Sequence, residues 1–208
     1  MPHIALLGDS IFDNRKYIAG QPDVCRLLND LLPQEWNATL LAVDGATCAD
    51  VPSQLARLPA ETTHLVVSMG GNDALLAEHL FHRRVHSASE ALLMLSGTLD
   101  EFELAYRAAM RQIQQTGLPV TACTIYNANI EGIVQAKVFK CAIALFNDVI
   151  IRVAREEGPP LVELRSVCTE PADYANDIEP SMQGGRKIAA AILSTLFRTQ
   201  SCGMGCNR

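Results

Sequence analysis

The sequence predicts an α/β fold: a parallel sheet of about five strands with helices on both faces. Two observations predict it. Short apolar runs alternate with helix-period segments along the 208 residues, which is the pattern of βαβ units. Three of those runs lead into polar, glycine-containing segments, "GDS", "DGA" and "GGND", as strands do where a sheet opens onto a ligand site.

The elements follow in order. "HIALL" (3–7) is the first strand and ends at Gly8. "DVCRLLNDLL" (23–32) places Val24, Leu27, Leu28 and Leu31 at helical spacing and is stopped by Pro33. "ATLLAV" (38–43) is the second strand, and a short helix, "DVPSQLARL" (50–58), leads to the third, "HLVVSM" (64–69). Residues 87–116 hold one long helix or two shorter ones, with Phe102, Tyr106, Ala109, Met110 and Ile113 as its core stripe. "PVTACTIYN" (119–127) is the fourth strand. Residues 134–158 form a long helix that ends on Gly158, with Val134, Val138, Cys141, Leu145, Val149 and Val153 on one face. "PLVELRS" (160–166) is the fifth strand, and "GGRKIAAAILSTLF" (184–197) is the closing amphipathic helix. Residues 1–198 make one domain, and residues 199–208, which carry neither pattern, are expected to be a flexible tail.

Composition narrows the function. With 49% hydrophobic residues, a net charge of −6 and no basic cluster, nucleic acid is excluded as the main partner. No apolar run is long enough to cross a bilayer, and "MPHIALLGDS" lacks the layout of a signal peptide, so a cytoplasmic protein without a membrane partner is expected. Seven scattered cysteines do not form a disulfide framework. The tail pair Cys202 and Cys206 is either a metal or redox pair or two thiols in a loose end, and no second ligand pair accompanies it. Oligomeric state is not legible.

All three polar segments point to the same sheet edge. Ser10 follows a strand and a glycine, so it is either a nucleophile or the N-cap of the next helix. Gly45 lets its N–H approach a ligand closely, or simply makes a turn. Asn72 can donate to a developing negative charge, or cap the helix near Ala74. Together they supply what acyl transfer needs: a hydroxyl, and several donors aimed at a tetrahedral oxyanion. Tyr126 and Asn127 end the fourth strand at this edge, and Asp9 orders the loop before Ser10.

"GDSIFDN", then Gly45 in "VDGAT", then "GGND" resembles the SGNH hydrolases, also called GDSL esterases and lipases, over residues 4 to about 197. The resemblance implies a flavodoxin-like three-layer α/β/α fold, no cofactor, and a small-molecule ester substrate. It implies Ser10 as nucleophile and oxyanion donor, with Gly45 and Asn72 as the other donors. The family's last block reads Asp-x-x-His-Pro, and "NDIEPSMQGGRKIA" fits that frame through Pro180 and Gly184. The frame puts Glu179 at the histidine position and Asn176 at the aspartate position.

Three readings follow for the base. A Glu179 whose pKa is raised by burial accepts the Ser10 proton, and Asn176 donates a hydrogen bond that orients it. Alternatively His79, His82 or His86 supplies the base, or the three bind a metal; His3 and His64 begin strands and lie at the wrong end. In the third reading the protein is catalytically silent and binds an ester, acetylated sugar or carboxylate in the same pocket, with Glu179 an ordinary loop carboxylate.

Overall fold

The computed structural model describes residues 1–203, and only the backbone of residues 199–203. The Cys202/Cys206 pair therefore lies outside the described side chains. Five strands run in parallel: β1 (His3–Gly8), β2 (Asn37–Leu40), β3 (His64–Ser68), β4 (Val120–Cys123) and β5 (Leu161–Val162). Between and after them lie α1 (Val24–Leu31), α2 (Val51–Leu55), α3 (Gly71–Leu76), α4 (Ala88–Gln114), α5 (Ile133–Glu157) and α6 (Met182–Gly203). Among the described residues no helix is long and apolar enough to cross a membrane.

Strand order is β2-β1-β3-β4-β5, so the winding direction reverses between β1 and β3. Such a reversal opens a crevice at the carboxyl ends of those two strands. Alternating side chains of β1 divide the core. Ala5 and Leu7 pack with Val51, the predicted α4 stripe and Phe146, Ile150 and Val153 of α5. Ile4 and Leu6 pack on the other face with Val24 and Leu28 of α1 and Ile188 and Ile192 of α6. Burial on both faces makes β1 a continuous apolar run.

Three strands stop earlier than their sequence pattern, each because other groups take over the ladder. Past β2, Leu41 and Ala42 both donate to the Leu6 carbonyl, at 2.9 and 2.8 Å, which breaks the register. Past β4, the Asn147 amide holds both the N–H and the C=O of Ile125, at 2.8 and 2.7 Å. Past β5, the Leu164 N–H donates to the Thr124 hydroxyl, at 2.8 Å, and the chain coils into a 3-10 turn over Leu164–Ser166. Residues 88–114 form a single helix, capped by Ser87, which accepts from the Glu90 N–H. The closing helix is longer than the 184–197 pattern at both ends.

The predicted core face of α5 is corrected. Only Val149 and Val153 of that set are buried; Val134 is 70% exposed, and Val138, Cys141 and Leu145 also face out. The buried face runs through Ile143, Phe146, Asn147, Ile150 and Ala154. From Ile133 to Cys141 only Ala136 and Phe139 are even half-buried, because this half of the helix has little packed against it. Apolar residues on both of its sides obscured the stripe.

Two buried amides fix the strand ends. Gln54 on α2 accepts from the Gly8 N–H at 2.7 Å and donates to the Gly8 C=O at 2.8 Å, just as Asn147 on α5 does for Ile125. Gln54→Ala leaves both Gly8 groups buried without a partner, at about 1–3 kcal/mol each. The expected loss is ~2–5 kcal/mol, or roughly 5–15 °C in Tm for a chain of this size, read in a thermal melt. A shift under about 2 °C would show that the grip contributes nothing.

Candidate active site

The Ser10 loop is set by Gly8. Its φ is +124°, and a Cβ there would lie 1.7 Å from the Ser68 carbonyl oxygen, so only glycine permits β1 and β3 to run this close. The chain then folds tightly on Asp9. Phe12 and Asp13 donate to the Asp9 carbonyl, both at 3.2 Å, and Ile11 donates to its carboxylate at 3.1 Å. Ser10 sits at the top of this turn. The loop's hydrogen bonds leave its N–H without an acceptor among the described residues.

Asn72 stands in the first turn of α3, after Gly70 in the left-handed region. Its amide donates to the Ala46 carbonyl at 2.9 Å, and the residue lines the cavity beside Ser10. Gly45 precedes Ala46 at φ +84° in a loop tied to the Ser10 loop by Asp44, whose N–H donates to Asp13 at 3.1 Å. The Gly45 N–H has no acceptor among the described residues, yet Gly45 is exposed and does not line the cavity beside Ser10. Ser10 and Asn72 both line that cavity; Gly45 lines a separate surface pocket with Asp44 and Ala46.

Glu179 arrives on a loop anchored from several directions. The fully buried Asp173 accepts from the N–H groups of Thr169 and Glu170, both at 3.0 Å, and pairs with Lys187 at 2.8 Å. A Cβ on Gly184 would lie 2.1 Å from the Asp173 carbonyl oxygen, which explains the glycine at the start of α6. Tyr174 bridges Pro180, and Ala175 donates to the Glu179 carbonyl at 2.8 Å. The Tyr126 hydroxyl donates to the Ile178 carbonyl, and Asn14 donates to the Pro180 carbonyl at 2.9 Å. Asn14 thereby ties the Ser10 segment to the Glu179 segment across the whole chain.

The result is a carboxylate 3% exposed in the cavity that Ser10 also lines, with Oε2 lacking a hydrogen-bond partner among the described residues. Burial pushes its pKa up to about 7; the neighbouring Ser10 hydroxyl pulls down, Asp44 pushes up and Lys16 pulls down. Asp9 shares the cavity and is likewise pushed up to about 7 by burial, opposed by the Ile11 N–H and reinforced by Glu179 and Asp73.

Asn176 acts differently from expectation. It is exposed, and its side-chain oxygen accepts from the N–H groups of Ile178 and Glu179, at 2.9 and 2.8 Å. It shapes the turn through the backbone rather than donating to the carboxylate. The histidines stay away: His3 and His64 begin β1 and β3, and His79, His82 and His86 are exposed and outside the cavity lining. Among the described residues no group of three or more His, Cys, Asp and Glu is placed to hold a metal. Cys48 is buried packing, its thiol pushed up by burial. Sequence reasoning missed Asn14 and Gln54; the only signal was a polar residue at a core-facing position.

The cavity is apolar apart from Asp9, Ser10, Asn72 and Glu179, with Leu75, Ile125, Phe139 and Ile143 among its walls. It thus places a serine hydroxyl, an amide and two carboxyl groups beside an apolar slot.

The sequence profile of the GDSL-like lipase/acylhydrolase family matches residues 6–187. No curated protein matches the chain in sequence. Among solved structures it is similar to an extracellular lipase from Streptomyces rimosus (16% identity, TM-score 0.69, covering 94% of this chain and 99% of that one). An acetyl xylan esterase is similar at 17% identity and TM-score 0.67, over 92% of this chain and 98% of that one. A lipolytic G-D-S-L protein from Veillonella parvula is similar at 14% identity and TM-score 0.70, over 95% and 100%. These likenesses establish the three-layer α/β/α fold.

The raised proton affinity of Glu179 has a consequence for stability. Folded, its pKa is pushed up to about 7; unfolded, it is the ordinary glutamate value of about 4.3. Folding therefore takes up protons between those values, and stability falls as pH rises through that window. Glu179→Gln cannot ionise. Relative to wild type, its unfolding free energy should gain about 2–3 kcal/mol between pH 4.5 and 8, read by urea denaturation. A pH-independent difference would mean that Glu179 titrates normally.

Proposed function

Because the chain belongs to the GDSL-like lipase/acylhydrolase family, we propose that it hydrolyses carboxylic esters of small acyl groups, with Ser10 as nucleophile and Glu179 as base. One observation carries this reading: a buried carboxylate with an unpartnered oxygen shares an otherwise largely apolar cavity with the Ser10 hydroxyl, and burial raises its proton affinity.

The chemistry follows from the geometry. Ser10 Oγ attacks the ester carbonyl carbon while its proton passes to Glu179. The carbonyl oxygen becomes an oxyanion, held by the Ser10 N–H, the Gly45 N–H and the Asn72 amide. As the tetrahedral species collapses, Glu179 returns the proton to the departing alcohol oxygen, leaving an acyl-serine. Water then loses a proton to Glu179, attacks the acyl carbon, and releases the acid as Ser10 regains its hydrogen. A carboxylate at its ordinary pKa is a poor base at neutral pH; one raised to about 7 is well matched to it. A carboxylate has no ring tautomer to fix, so the aspartate that steadies a histidine is dispensable, and Asn176 instead supports the turn.

The test is hydrolysis of p-nitrophenyl acetate from pH 5 to 9. Wild-type kcat/KM should rise with pH through an apparent pKa of about 7, since the base must be ionised. Ser10→Ala and Glu179→Gln should each lose roughly 1,000-fold or more, and Asn72→Ala roughly 100- to 1,000-fold. Turnover that survives in Glu179→Gln but not in Ser10→Ala would overturn the glutamate base. Absence of Ser10-dependent turnover across an ester panel would leave a silent binding protein.

A further inference from the structure

The cavity beside Ser10 has one wall unlike the rest. Ile11, Ile125 and Ile178 come from segments whose backbone is held by side chains: the Asp9 carboxylate accepts from the Ile11 N–H, Asn147 from the Ile125 N–H, and the Tyr126 hydroxyl donates to the Ile178 carbonyl. Phe139 comes from the half of α5 that has little packed against it. What supports its ring is Phe81, in the 3-10 turn Glu78–His82, edge-on at 5.7 Å between ring centres and 67° between planes. Phe81 does not itself line the cavity, so Phe139 is the wall and Phe81 its backing.

The space that remains is small. The cavity volume is about 60 Å³, room for roughly four to six water-sized groups. Its lining includes the carboxyl groups of Asp9 and Glu179 and no Lys, Arg or His, so it suits an uncharged chain.

We propose that Phe139, backed by Phe81, ends the acyl-binding cavity and restricts the substrate to esters of short, uncharged carboxylic acids, about two to four carbons long. This rests on the reading of Ser10 as the ester nucleophile. Each further methylene would have to displace the Phe139 ring. Because the ring pairs with Phe81 on a half of α5 that has little packed against it, chain-length preference is set locally and can be changed by this single side chain.

The experiment compares kcat/KM for p-nitrophenyl acetate, butyrate and octanoate in wild type, Phe139→Ala, Phe139→Trp and Ser10→Ala. In Phe139→Ala the octanoate-to-acetate ratio should rise at least about tenfold, the usual scale for a changed apolar pocket. In Phe139→Trp the butyrate-to-acetate ratio should fall by a similar factor, about tenfold. Because the two variants move the ratio in opposite directions, instability of one cannot imitate the result. Ser10-dependent turnover with both ratios within about threefold of wild type overturns the inference and leaves the hydrolase reading standing. So does a preference that shifts with the alcohol in a series of alkyl acetates instead of with the acid. Absence of Ser10-dependent turnover on every ester overturns the hydrolase reading, and this inference with it.

Discussion

The Glu179 carboxylate is kept out of water beside Ser10, with one oxygen lacking any partner. Much of the surrounding structure is what holding it there requires. An ionised carboxylate in such a place is costly, and the group responds by holding its proton more tightly. A free loop would relieve the cost by swinging the side chain into solvent. This loop cannot, because Tyr126 takes the Ile178 carbonyl, Asn14 takes the Pro180 carbonyl, and Ala175 and Asn176 close the turn on either side of Glu179. The buried Asp173–Lys187 pair and the glycine at 184 fix the loop to α6. The strained proton affinity is thus sustained by many ordinary hydrogen bonds at a distance from it.

The same division of labour shapes the opposite side of the site. The reversal of strand order opens a crevice at β1 and β3, but a crevice alone does not aim a hydroxyl. Gly8 permits the close strand approach, and Gln54 holds its two backbone groups as a neighbouring strand would. Asn147 repeats this device at Ile125, whose side chain lines the cavity. Helix side chains therefore replace ladder hydrogen bonds where the sheet ends and the reactive loops begin. The ends stay rigid without being covered by another strand.

The sequence and the structure agree most closely where the signal is local. The alternation of runs located all five strands, and the stripe at Phe102, Tyr106, Ala109, Met110 and Ile113 faces the core as its spacing predicts. Ser10 and Asn72 were legible because each follows a strand and a glycine within a few residues. Glu179 was legible only through the register set by Pro180 and Gly184. Long-range groups were not. Gln54 lies 46 residues from Gly8 and Asn14 lies 166 from Pro180, and a single polar side chain in a helix or loop resembles one facing solvent. The α5 face was misread because its first half carries apolar residues on several sides with little packed against them. Asn176 was placed in the right loop, but a sequence cannot say whether its amide gives or accepts a hydrogen bond.

Two carboxyl groups on one cavity bring a further constraint. Asp9 and Glu179 are both buried, burial raises the proton affinity of each, and Glu179 adds to the rise at Asp9. Near neutral pH, one proton shared between two such sites is the state that burial favours. A histidine in place of Glu179 would carry a positive charge after taking the serine proton, and an adjacent carboxylate would stabilise it. Glutamate reverses the sign: it is negative before proton transfer and neutral after. In the proposed reaction, proton transfer from Ser10 would therefore remove a negative charge from the cavity instead of creating a new attraction. An aspartate at position 176 would add a negative charge close to Glu179, on a turn whose geometry already depends on an acceptor at the Asn176 side-chain oxygen. The amide supplies the acceptor without the charge.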